Sequence, residues 1–150
     1  MTTSILTRLR HWLAPPQPAV PEPAPAWSDN RITDQWFASH FRYAADVVHE
    51  ALSPVCDPSA SSLLDFGCYD GITGLGLLLR HRWKQVIGVD IDPGFDALPR
   101  LAHEQIGLQR LPASLRFHRI APSESLAAVG RVEAIMSWSV FEHVDRKILD

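Results

Sequence analysis

The sequence is poor in the residues that mark specialised protein classes. It holds two cysteines in 150 residues, Cys56 and Cys68, and neither belongs to a Cys-x-x-Cys or Cys/His cluster that could close around zinc. A reduced, cytosolic thiol pair and no metal site are therefore expected. No uninterrupted apolar run approaches the roughly 18 to 20 residues that span a bilayer, and no apolar core with a small-residue cleavage site opens the chain. A cytoplasmic location follows as an expectation. Basic residues are not in excess: 14 Lys and Arg stand against 17 Asp and Glu, a formal net charge of −3. The chain thus lacks the positive field that draws proteins onto phosphate backbones, and a nucleic-acid partner has no support.

What remains is ordinary for a globular protein, with 46% hydrophobic and 21% charged residues. The length suits one domain with one core. Within that average, the 12 prolines are unevenly spread. Pro15, Pro16, Pro18, Pro21, Pro23 and Pro25 crowd residues 14–26, where missing backbone donors favour an extended, semi-rigid spacer. Ahead of it, Ile5, Leu6, Leu9, Trp12 and Leu13 fall on one stripe of a helix over residues 1–13, with Arg8, Arg10 and His11 away from its centre. That amphipathic helix suits a peripheral membrane or protein contact, or packing against its own domain.

A folded domain is expected over residues 27–150. Ser28 or Asp29 can cap a helix whose members Ile32, Trp36, Phe37, Phe41, Ala44, Val47, Val48 and Leu52 follow helical spacing up to Pro54. Strands over 63–66, 86–90, 115–120 and 132–138 then alternate with helices over 72–81, 100–106 and 123–129. Repeated strand, helix, strand predicts an α/β fold, a parallel sheet with helices on both faces.

The chemistry concentrates where the first of these strands ends, in Leu63-Leu64-Asp65-Phe66-Gly67-Cys68-Tyr69-Asp70-Gly71. Gly67 and Gly71 let backbone approach a ligand, and the amides opening the next helix favour negative charge such as a carboxylate. Gly74 and Gly76 follow one turn later, where missing side chains permit close packing on the sheet. The strand after that, Val86-Ile87-Gly88-Val89-Asp90-Ile91-Asp92, ends on an acid able to accept hydrogen bonds from both hydroxyls of a ribose. No G-x-G-x-x-G turn is present, which weighs against a nicotinamide dinucleotide.

Asp65-x-Gly67-Cys68-x-x-Gly71 resembles the first motif of class I S-adenosylmethionine-dependent methyltransferases, D-x-G-C-G-x-G, with Tyr69 where the middle glycine is usual. Val132-Glu133-Ala134-Ile135-Met136-Ser137-Trp138-Ser139-Val140-Phe141-Glu142-His143-Val144 resembles the F-D-x-V-x-S-x-x-V-x-E-H-V run of the small-molecule branch. The resemblance implies a Rossmann-like sheet in the order 3-2-1-4, with strands five to seven of the family lacking sequence here, so that the chain is expected to be the N-terminal part of such a domain. It implies S-adenosylmethionine as cofactor and a small molecule as acceptor. Asp65, Gly67, Cys68, Tyr69 and Gly71 would form the cofactor loop, Asp90 would hold the ribose and Ile91 would lie beside the adenine. Ser137, Trp138 and Ser139 would border the reactive methyl. Where the family usually places the acid that holds the adenine amino group stands Pro122, leaving Ser123 or Glu124 as substitutes. His143, with Glu142 beside it, is the candidate catalytic base, although a Glu-His pair opening a helix also serves as a cap. A truncated or non-catalytic nucleoside-binding module remains the alternative.

Overall fold

The computed structural model describes residues 26–121 and 124–138. The expected helix over 1–13 and nearly all of the spacer over 14–26 lie outside them. Four strands, β1 (Ser62–Phe66), β2 (Gln85–Asp90), β3 (Leu115–Arg119) and β4 (Ala134–Met136), form one sheet in the order β3-β2-β1-β4. Every pairing is parallel, with Leu63 opposite both Val86 and Ala134 and Gly88 opposite Phe117. The Rossmann-like order inferred from the sequence is the order found.

β1 and β2 are buried almost throughout because both faces are covered, which is why they read as continuous apolar runs. On one face Leu63, Val86, Leu115 and Met136 meet three helical segments. These are α1, residues 35–52, in which a π-helical stretch Ser39–Ala44 joins Gln35–Ala38 to Ala45–Leu52; α2, Ile72–His81; and α3, Leu98–Ile106. On the other face Leu64, Ile87 and Val89 are covered by Ile120, Val132 and the 3₁₀ turn Leu126–Val129.

Three details depart from the expectation. Ser28 caps only a 3₁₀ turn, Asp29–Arg31, while α1 starts afresh at Asp34, whose carboxylate accepts the Phe37 N–H at 2.9 Å. The restart is held against α3, since Gln105 Oε1 accepts the N–H groups of Thr33 and Asp34 at 2.9 and 3.0 Å. β4 is shorter than 132–138, pairing with β1 only from Ala134 to Met136; Ser62 and Glu133 clamp its start, the Glu133 carboxylate accepting the Ser62 N–H at 2.7 Å. Gly76 packs on α1 rather than on the sheet: a Cβ there would lie 2.3 Å from the Phe41 carbonyl oxygen. Gly74 does face the sheet, where a Cβ would touch Val86 at 3.0 Å.

Candidate active site

The carboxyl ends of the strands, together with the first turns of α1, enclose a cavity of about 600 Å³. Its floor is the turn from β1 into α2. Gly67 (φ 77°), Tyr69 (φ 47°) and Gly71 (φ 72°) all take left-handed backbone conformations. Gly71 has no alternative, because a Cβ there would lie 2.4 Å from the Phe117 ring. Tyr69 adopts the conformation a glycine would take, at a cost of about 1 kcal/mol. Its ring, half exposed, is thereby carried to the cavity mouth. The N–H groups of Gly67 and Cys68 both donate to the Val89 carbonyl, which fastens the turn to the end of β2.

Three carboxylates line the cavity. Asp65 is 3% exposed and no described residue donates a hydrogen bond to it. Burial, reinforced by the negative charges of Asp70 and Asp90, pushes its carboxyl up to about 7. Asp70 is buried and held on both oxygens, accepting the Ile72 N–H at 3.0 Å and the Trp36 indole N–H at 2.5 Å. Asp90 accepts the Tyr69 N–H at 2.7 Å on one oxygen and the Asp92 N–H at 2.9 Å on the other. Each of those oxygens keeps a second lone pair for a ligand hydroxyl.

The cavity thus presents carboxylate oxygens with free lone pairs at the carboxyl ends of parallel strands. Residues 37–148 match the methyltransferase domain family. The chain belongs to that family. No curated protein matches it. Among solved structures, this methyltransferase chain is similar to the methyltransferase domain of the bacterial CtHen1-CN, at 22% identity with a TM-score of 0.54, covering 75% of this chain and 55% of that one. The sugar N-methyltransferase KedS8 from a Streptoalloteichus species is similar at 21% identity and a TM-score of 0.43, covering 75% of this chain and 40% of that one. Coclaurine N-methyltransferase, solved with N-methylheliamine and SAH, is similar at 16% identity and a TM-score of 0.48, covering 81% of this chain and 33% of that one. The methyltransferase chain therefore spans about half the length of the first of these or less.

The cavity gathers most of the residues singled out in the sequence. Asp65, Gly67, Cys68, Tyr69, Asp90, Ile91 and Trp138 all line the cavity. Gly71 sits just beneath it as the residue from which α2 starts. Cys68 is buried, and that burial, with Asp65 and Asp90 nearby, raises its thiol far above the ordinary range, so it stays protonated and packs against Gly88. Ser137 stands beside Trp138 with its hydroxyl buried and unpartnered among the described residues. Glu124 turns its carboxylate to the Ala121 N–H at 2.9 Å and stays exposed, which makes it part of a local turn. Pro122, Ser123, Ser139, Glu142 and His143 lie outside the described residues.

Seven lining residues were not among the site candidates read from the sequence: Trp36, His40, Phe66, Asp70, Thr73, Val89 and Ile120. Trp36 shares the helical spacing of the apolar members of α1, yet it is 54% exposed. The usable signal was the i, i+4 spacing of Trp36 and His40 in the first turns of a helix that precedes a glycine loop.

Proposed function

We propose that the chain binds S-adenosylmethionine in this cavity and transfers its methyl group to a small-molecule acceptor. The observation that carries the reading is Asp65. A buried carboxylate to which no described residue donates is costly unless a cation offsets it, and here it borders a cavity of about 600 Å³, within the range of cofactor sites. S-adenosylmethionine fits that donor set, since it carries an ammonium, a sulfonium and a ribose diol. When bound, it supplies a methyl group already activated by the sulfonium.

In this reading the chain's own residues bind and align. Asp90 accepts the ribose hydroxyls on its remaining lone pairs, Ile91 lies along the adenine, and Asp65 offsets the ammonium. Gly67 and Gly71 bring backbone close to the amino-acid end, while Ser137 and Trp138 border the end from which the methyl leaves. Their work is to set the acceptor in line with the methyl and to keep water out.

The substitution Asp90→Ala tests the assignment by calorimetry with S-adenosylhomocysteine. Loss of both ribose contacts weakens binding by at least about tenfold, the size of one charge-assisted hydrogen bond. Unchanged affinity would return Asp90 to a purely local role in fastening the Tyr69 turn.

A further inference from the structure

The geometry points to an amine as the methyl acceptor, its carbon body seated against an aromatic rim formed by Trp36, His40 and Tyr69; this rests on the methyltransferase reading above.

The rim is exposed yet fixed. Trp36 is 54% and Tyr69 53% exposed, an unusual state for large rings that are not loose. The indole N–H of Trp36 is tied to Asp70, the His40 ring lies 4.0 Å from the indole, and Tyr69 meets it edge-on at 6.5 Å. Both Trp36 and His40 belong to α1, and Tyr69 belongs to the glycine turn, so two separate elements close one wall. An ordered aromatic wall at a cavity mouth offers a planar or apolar body a surface at little entropic cost.

Charge decides among the acceptors such a wall could take. Among the described residues, those lining the cavity include Asp65, Asp70 and Asp90 and no lysine or arginine. The cofactor's ammonium and sulfonium, less its carboxylate, leave one positive charge against those three acids. A carboxylate or phosphate acceptor would enter against this field, whereas an ammonium is drawn in by it and by the faces of the rings. His40 adds a directed contact. Its Nδ1 lies 3.0 Å from the Trp36 carbonyl oxygen, which only accepts, so Nδ1 donates to it, and in the neutral ring the lone pair is then on Nε2. That lone pair can take a proton from the incoming ammonium, which leaves the amine nitrogen its own lone pair; the nitrogen then forms the N–CH3 bond as the S–CH3 bond of the cofactor breaks, and S-adenosylhomocysteine leaves.

Three probes of one shape but different charge test this on the full chain: phenethylamine, 2-phenylethanol and phenylacetate, each titrated after saturation with S-adenosylhomocysteine. Phenethylamine is expected to bind at least about tenfold more tightly than either of the others, the scale of one desolvated cation-ring contact. Trp36→Leu, read on protein that still binds S-adenosylhomocysteine, weakens phenethylamine about tenfold, and Trp36→Phe, which keeps a ring at the rim, restores most of it. Equal affinity for amine and carboxylate, or an amine affinity indifferent to Trp36→Leu, overturns the inference while leaving the cofactor reading intact. A chain that fails to bind S-adenosylhomocysteine overturns the cofactor reading and the acceptor class with it.

Discussion

Asp65 concentrates the physical tension of the site. Its carboxyl titrates at about 7 in the folded chain, against an ordinary value of 3.8. The folded state therefore holds this proton more tightly than the unfolded state, so the associated stability is full below about pH 4 and is lost as pH rises through 7. Removing the charge should remove the loss: Asp65→Asn is expected to raise stability at pH 8 by about 2 to 4 kcal/mol relative to the parent and to change little at pH 4. Denaturant melts at the two pH values check this, and equal shifts at both would contradict the assignment. A cation arriving beside Asp65 lowers its pKa, so binding of S-adenosylhomocysteine near pH 6.5 should release part of a proton. Calorimetry in buffers of different ionisation enthalpy measures that release, and an enthalpy independent of buffer would count against Asp65 as the ammonium's partner. Its placement was legible in the sequence through the motif around it. Its missing hydrogen bonds were not, because they depend on where every neighbouring donor points.

Between α1 and α2, Gly76 sets the distance of approach. A Cβ there would lie 2.3 Å from the Phe41 carbonyl oxygen and 2.8 Å from the Ala45 Cβ, so Gly76→Ala must push the two helices apart. The gain in helix propensity, about 1 kcal/mol, is smaller than the overpacking it causes, and a net loss of about 1 to 3 kcal/mol is expected in a thermal or denaturant melt. A neutral or stabilising effect would mean that the helices are not in contact there. The same change separates α1 from the cavity wall it completes, so loss of stability and loss of the rim should occur together. At this scale the sequence was a good guide to β1, α2 and β2, whose apolar runs and glycine turn are local signals. It misjudged the start of α1, because Ser28 and Asp34 both offer capping oxygens and the choice between them is made by Gln105, roughly 70 residues away. It did not single out Trp36, since helical spacing alone does not distinguish a buried stripe from a stripe turned over a cavity. β4 came out shorter than its apolar pattern because a strand extends only as far as its pairing, which with β1 runs from Ala134 to Met136.

Across the whole molecule, one sheet order brings the function together. Placing β1 centrally between β2 and β4 puts the Gly67 turn, Asp90 and Trp138 around one cavity, although they come from three separate stretches of chain. Alternating strand and helix patterns made that topology legible in advance, and the motif after β1 made the family legible. The wall contributed by α1 was not, since nothing local in Trp36 or His40 speaks of the glycine turn they face. No described helix is long and apolar enough to cross a membrane, and no described group of His, Cys, Asp and Glu could hold a metal ion. The most direct test of the central claim is calorimetry of the full chain with S-adenosylhomocysteine, with NAD titrated in parallel. A methyltransferase cofactor site predicts binding of S-adenosylhomocysteine in the micromolar range, near −8 kcal/mol, and none of NAD. Binding of NAD alone, or of neither ligand by a folded chain, would contradict it.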